Sequence, residues 1–233
     1  MSGSWGATAS TRPMPRPEPA EAGYPPDAPP DCPLCPRLVA YRAANRTAHP
    51  DWFNGAAPSF GDPDARLLVV GLAPGRTGAN RTGRPFTGDF AGVLLYGTLI
   101  KLGFAQGRYE ARPDDGLTLV DCMITNAVRC APPGNKPETP EQANCRPYLA
   151  SRIAALPRLQ VIVTLGDVAR RNVLRALGLT AGAGASGHGA EMRVGPLTLL
   201  NSYHCSRLNT NTGRLTAPMF EAVFQRARAL LAG

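Results

Sequence analysis

Apolar residues along this chain fall into short unbroken runs, separated by longer stretches of helical period. The run Arg66-Leu-Leu-Val-Val-Gly71, bounded by Gly and Pro, predicts a strand buried on both faces. Residues 117–125 (LTLVDCMIT) predict a second strand and 161–165 (VIVTL) a third. Helical patterns cover 36–47, 90–102, 140–156, 167–177 and 218–231, with Pro140 suited to a helix first turn. Two short runs, 191–194 and 197–200, predict a hairpin or the approach to a fourth strand. Strands alternating with helices predict an α/β fold. The expected form is a three-layer αβα sandwich around a central, mostly parallel four-stranded sheet. Right-handed crossovers leave such strands pointing one way, and ligands then bind at their carboxyl ends. Four polar loops follow predicted strands directly: 71–89, the loop at Asn126, the loop at Gly166, and 202–214. They should meet at one edge.

Residues 1–30 break the pattern. They hold eight of the 24 prolines and no periodicity, which predicts a disordered or extended tail before a single domain over 31–233. With 43% hydrophobic and 18% charged residues, the remainder can build a sizeable core. No stretch approaches the roughly 20 apolar residues of a membrane span, and no secretory h-region stands at the N-terminus. A cytoplasmic monomer with no membrane partner is the expectation. The formal charge is +8, and only Lys101 and Lys136 are lysines, so 23 of the 25 cations are arginines. Codon bias explains this as well as chemistry does, although the guanidinium fork suits phosphate and nucleic acid.

The six cysteines sharpen the picture. In a reducing compartment they read as ligands, nucleophiles or packed thiols rather than disulfides. Cys32-Pro-Leu-Cys35 precedes the first helix, and Cys130 and Cys145 bracket CAPPGNKPETPEQANC. The second pair is too widely spaced for a common zinc ribbon. Nor does the first follow a strand, as a redox CxxC usually does. Four thiolates from two distant segments suit a metal site, zinc or iron–sulfur. Cys122, inside an apolar strand, reads as a core thiol.

The loop GLAPGRTGANRTGRPFTGDF (71–90) and the loop NSYHCSRLNTNTGRLT (201–216) carry the most specific signal. Together with Asn126, the four cysteines and the phrase APPGNKP, they resemble the iron–sulfur branch of the uracil-DNA glycosylase superfamily. The closer resemblance is to family 5, the type B enzymes of bacteria and archaea. Family 4 usually opens its loop Gly-Glu-Ala-Pro-Gly; here Leu72 replaces the glutamate, while Gly75 leans toward family 4. The usual His-Pro-Ser-Pro is His204-Cys205-Ser206-Arg207, without either proline, so that loop should be less rigid. Cys205 reads as incidental.

The resemblance implies a DNA glycosylase of base excision repair. It would flip uracil, and other deaminated or damaged bases such as hypoxanthine or ethenocytosine, out of DNA and hydrolyse the N-glycosidic bond. It also implies a [4Fe-4S] cluster on Cys32, Cys35, Cys130 and Cys145. Phe86 becomes the ring that stacks on the flipped base, where the residue alone reads as loop packing. Asn126 becomes the reader of the uracil edge, with Gly71 and Ala73 beside it; its amide offers both donor and acceptor. His204 becomes the donor to the departing base. Asp89 reads equally as a water- or sugar-directed acid and as an N-cap for the helix that follows. Arg76, Arg84, Ser206, Arg207 and Arg214 are the expected DNA contacts, with Arg207 and Leu208 as a wedge. Alternatives are a family-4-like enzyme strict for uracil, a non-catalytic iron–sulfur DNA-binding protein, and a zinc protein acting on nucleotides. Ala73-Pro74-Gly75, which offers no acid where related families place one, keeps the non-catalytic alternative open.

Overall fold

The structure is a computed structural model describing residues 24–233. Its centre is a six-stranded sheet in the order β1-β5-β2-β6-β8-β7. The inner four strands are β5 (Cys122–Asn126), β2 (Leu67–Gly71), β6 (Val161–Leu165) and β8 (Leu197–Ser202). All are paired in parallel, with Gly71 opposite Asn126 and Leu165 opposite Ser202. Two strands beyond the expected four close the edges antiparallel: β1 (Phe60–Gly61) and β7 (Glu191–Val194). β7 and β8 form the anticipated hairpin. Phe60–Gly61 is too short to leave a period in the sequence.

The expected strand over 117–125 is two strands. β4 (Thr118–Leu119) leaves the main sheet to pair with β3 (Ala105–Gln106), and β5 begins at Cys122. Between them Asp121 takes a left-handed backbone, φ 52°. Its carboxylate accepts the Arg66 backbone N–H at 2.9 Å and the Arg66 Nε–H at 2.7 Å, which holds the bend.

Alternate residues of the sheet serve two cores, as the pleat requires. Leu67, Val69, Ile124, Val163 and Leu165 pack with Leu95 and Leu99 of α3 (Phe90–Lys101) and with Phe220 and Phe224 of α7 (Ala217–Ala232). Leu68, Val70, Met123 and Ile162 pack with Leu149 and Ile153 of α4 (Thr139–Ala154) and Val173 of α5 (Asp167–Ala176). Helices therefore cover both faces, giving the αβα layers. No helix among the described residues is long and apolar enough to cross a membrane.

A third, smaller cluster joins α1 (Pro36–Ala48) to the segment after β5. It corrects the expected tail boundary. Ala28 is buried there, Tyr24 packs edge-on against Tyr148 at 5.0 Å, and Asp27 pairs with the fully buried Arg129 at 3.0 Å. Residues 24–30 thus belong to the folded body, while the rest of the expected tail lies outside the described residues.

Candidate active site

Because the inner strands are parallel, Gly71, Asn126, Leu165 and Ser202 all end at one edge, and the motif loops leave from there. A cavity of about 410 Å³ opens at this edge. Ala73, Gly75, Asp89, Phe90, His204, Ser206 and Arg207 all line it, so it unites the two motif loops.

Asp89 occupies the N-cap position of α3, but its side chain makes no capping hydrogen bond. The carboxylate instead lies over the first motif loop and accepts the Gly75 backbone N–H. A Cβ on Gly78 would stand 1.9 Å from Asp89 Oδ2, and one on Gly75 2.6 Å away, so a side chain at either position would displace this carboxylate. Burial raises the Asp89 pKa above the ordinary carboxylate value, with Arg81 opposing. Across the cavity, His204 leaves the end of β8. It is half-buried, and burial lowers its pKa, which keeps the imidazole neutral at pH 7. Its backbone carbonyl accepts Asn209 Nδ2–H at 2.8 Å, which ties the loop to α6 (Arg207–Asn211).

Gly71, Phe86 and Asn126 meet one another, yet none lines the cavity. A Cβ on Gly71 would lie 2.4 Å from Asn126 Oδ1 and 2.5 Å from Phe86 Cζ. Glycine here lets the ring and the amide share one spot. Phe86 has φ 58°, a conformation costing about 1–3 kcal/mol in a non-glycine residue. Its surroundings enforce it: Tyr109 Oη–H donates to the Phe86 carbonyl at 3.1 Å, and Tyr96 Oη–H to the Pro85 carbonyl at 2.6 Å. The Phe86 and His204 rings lie 6.1 Å apart at 30°.

Arg84 departs from its expected role. Its side chain is buried, and its guanidinium forks onto Asp115 with two bonds of 2.7 Å while Nε–H donates to Thr87 Oγ1 at 2.7 Å. The rings of Phe60, Tyr96 and Tyr109 surround it. Three of its five N–H groups are taken and only 5% of the residue is exposed, so Arg84 braces the Phe86 turn instead of reaching phosphate. Arg84→Lys keeps the charge but loses the fork. It should lower unfolding free energy by about 1–3 kcal/mol in a urea titration, and leave the salt dependence of DNA binding unchanged. A wild-type unfolding midpoint with a shallower salt slope would restore the phosphate role.

The other expected DNA contacts border the edge. Arg207 lies over the Phe90 ring at 5.1 Å, Arg214 over Tyr203 at 4.6 Å, and Arg76 over Trp52 at 5.5 Å. Ser206 caps α6 by accepting the Asn209 N–H. Leu208 is 71% exposed, the most open large apolar side chain among those described. Arg214 and His204 also line a second cavity of about 610 Å³, together with Gly166 and Ser202. Asn135 was not among the residues singled out, yet it lines the cavity that holds Asp89. The Pro-Pro-Gly-Asn string signals a turn, but nothing local says where that turn will point.

The four paired cysteines come together. Cys32, Cys35, Cys130 and Cys145 are free thiols lining one apolar cavity with Leu38, Val128 and Tyr148. Each sulfur has a polar neighbour: Tyr148 Oη at 3.8 Å from Cys32, Asn144 Nδ2 at 3.7 Å from Cys35, Arg42 Nη1 at 3.6 Å from Cys130, and the Arg129 backbone N at 3.2 Å from Cys145. Among the described residues, no three His, Cys, Asp or Glu side chains are arranged to hold one metal ion. Burial pushes the Cys130 thiol up to about 11 and that of Cys145 to about 12. Cys122 and Cys205 lie elsewhere, fully buried in the α3–α7 core.

Fold and site together define an α/β protein with two motif loops meeting at the carboxyl edge of a parallel sheet. Residues 58–228 match the family described as the uracil DNA glycosylase superfamily. The chain is 45% identical over 206 residues to a type-5 uracil-DNA glycosylase of Thermus thermophilus, covering 85% of this chain and 93% of that protein. It is 41% identical over 203 residues to a type-5 uracil-DNA glycosylase of Pyrobaculum aerophilum, covering 85% and 88%. Against a type-4 uracil-DNA glycosylase of that organism the match is 35% over 128 residues, 54% of this chain and 57% of that protein. The chain belongs to the uracil-DNA glycosylase superfamily and, within it, to the type-5 family.

Proposed function

We propose that this chain is a monofunctional DNA glycosylase that excises uracil, and also other deaminated or damaged bases such as hypoxanthine and ethenocytosine, from DNA. The observation that carries the reading is Asp89 facing His204 across one cavity at the sheet edge. It favours catalysis despite Ala73-Pro74-Gly75. The acid that stretch lacks arrives from Asp89, whose carboxylate rests on Gly75 itself.

The nucleotide must leave the duplex to reach this edge. Phe86 and Asn126 would then receive the base, ring against ring and amide against the O4/N3–H edge. The C1′–N bond breaks with its electron pair going to the base, leaving an oxocarbenium-like sugar. His204, neutral, donates to the anion developing on O2 of uracil. Asp89 steadies the cationic sugar and accepts the proton of the water that bonds to C1′. Abasic-site formation on oligonucleotides carrying uracil, hypoxanthine or ethenocytosine tests the range. Cleavage of all three supports it, and cleavage of uracil alone shows a strict enzyme.

Cys32, Cys35, Cys130 and Cys145 would hold a [4Fe-4S] cluster. Four cysteine sulfurs around one cavity supply the all-cysteine ligand set that such a cluster takes. Such a cluster would supply a structural pin between α1 and the 130–145 segment, with no part in the glycosidic step. Cys130→Ala should lose iron and the visible absorption of the cluster and unfold more easily, since metal binding is partly folding free energy. Cys122→Ser should keep its iron. Iron lost from Cys122→Ser but retained in Cys130→Ala would overturn the assignment.

A further inference from the structure

The chain from His204 to Leu208 holds no proline, so contacts must aim His204. β8 makes its last ladder pairing at Ser202, opposite Leu165. Tyr203 is the first residue past the sheet, and its backbone groups need other partners. Its carbonyl accepts Ser202 Oγ–H at 2.8 Å, and the next carbonyl, of His204, accepts Asn209 Nδ2–H at 2.8 Å. Both donors belong to the motif loop itself. The Tyr203 N–H reaches outside it. It donates to Nδ1 of His188 at 3.2 Å, in the glycine-rich stretch before β7, and Ser202 Oγ lies 3.5 Å from the same nitrogen. His188 Nε2 stands 3.2 Å from the Met219 carbonyl, in the first turn of α7. A backbone N–H can only donate and a carbonyl can only accept, so these partners select one tautomer: Nδ1 bare and Nε2 carrying the proton.

We propose that His188 is a positioning residue for the glycosidic step, its Nδ1 holding the Tyr203 backbone N–H and so fixing where the next residue, His204, directs its donor. The inference rests on the glycosylase reading and deepens it. His188 lines neither cavity at the sheet edge, so it acts through His204 rather than on the substrate. Its own place is fixed from both sides. The Gly189 N–H donates to the Asn201 carbonyl at 2.8 Å, which carries the β7–β8 pairing up to its neighbour, and Met219 ties the ring to α7. The His188 and Tyr203 rings lie 5.3 Å apart at 34°. A transition-state donor displaced by about 1 Å can cost on the order of 10²-fold in rate, which is why one backbone bond beside His204 matters.

Two substitutions in the full chain divide the imidazole between its nitrogens. His188→Gln places an amide N–H where Nε2–H stood and leaves the Tyr203 N–H without an acceptor. His188→Asn places a carbonyl oxygen near Nδ1 and gives up the tie to Met219. In single-turnover release of uracil from a duplex, His188→Gln should be slower by about tenfold, within the range of a small misplacement. Its affinity for a duplex carrying an uncleaved tetrahydrofuran abasic-site analogue should equal wild type. His188→Asn should recover most of that rate while unfolding at lower urea. Nitrogen-15 spectra of the three histidines in the wild-type chain should show His188 as the Nε2–H tautomer. A wild-type rate in His188→Gln, equal slowing in both variants, or an Nδ1–H tautomer overturns the proposal, and the last of these decides even where a variant fails to fold. A wild-type chain that forms no abasic sites overturns the glycosylase reading instead, whatever the tautomer.

Discussion

Asp89→Asn is expected to slow uracil release in a single turnover by about 10²–10⁴-fold, the range of a general base, with DNA affinity close to wild type. The substitution separates two roles that share one position. Asn caps a helix about as well as Asp, so a capping role would leave both rate and stability unchanged. The geometry already argues against capping: the carboxylate turns from α3 toward Gly75 and Gly78. The pH profile adds an independent signature. Burial raises the Asp89 pKa, so the carboxylate protonates at higher pH than an exposed aspartate would. The wild-type rate should therefore fall as pH drops through that raised value. The Asn variant, with nothing to titrate there, should lack this fall. Equal single-turnover rates at neutral pH would remove Asp89 from the chemistry.

His204→Ala is expected to slow the same step about 10²–10³-fold, the usual loss for one donor aimed at developing charge, while DNA binding changes little. That split marks an interaction made in the transition state and absent from the ground state. Burial lowers the His204 pKa, so the group acts as a neutral donor and carries no proton to the base. Protonation begins only below the pH at which an exposed histidine would charge. Between that point and neutrality, His204 therefore contributes no titration to the rate. A variant that loses affinity and rate in equal measure would make His204 a binding residue only.

Much of this molecule is legible in the order of its residues. The runs at 67–71 and 161–165 are apolar on both faces because helices cover both sides of the inner strands, and such strands advertise themselves. The shortest strands do not. Phe60–Gly61 and Ala105–Gln106 have two residues each, too few for any period, and they exist because neighbouring strands offer unpaired backbone. The break at Asp121 is likewise tertiary, set by the Arg66 backbone and guanidinium. The motif loops marked the cavity through Asp89 and His204, since loops that follow parallel strands must converge. Arg84 was misread because charge in a motif loop resembles a phosphate contact until Asp115, 31 residues away, is seen to take its fork. Ala28 and Asp27 hid among prolines, and the Asp27 partners Arg129 and Arg152 lie more than a hundred residues on. Asn135 left no signal beyond a turn.

The most direct measurement is the liberation of free base from a uracil-containing duplex, with the DNA product examined before and after alkali. The account predicts free uracil in amounts matching the abasic sites formed, with strands cut only after alkali, by the wild-type chain and far more slowly by Asp89→Asn. Absence of free uracil, or equal release by the two proteins, would contradict it.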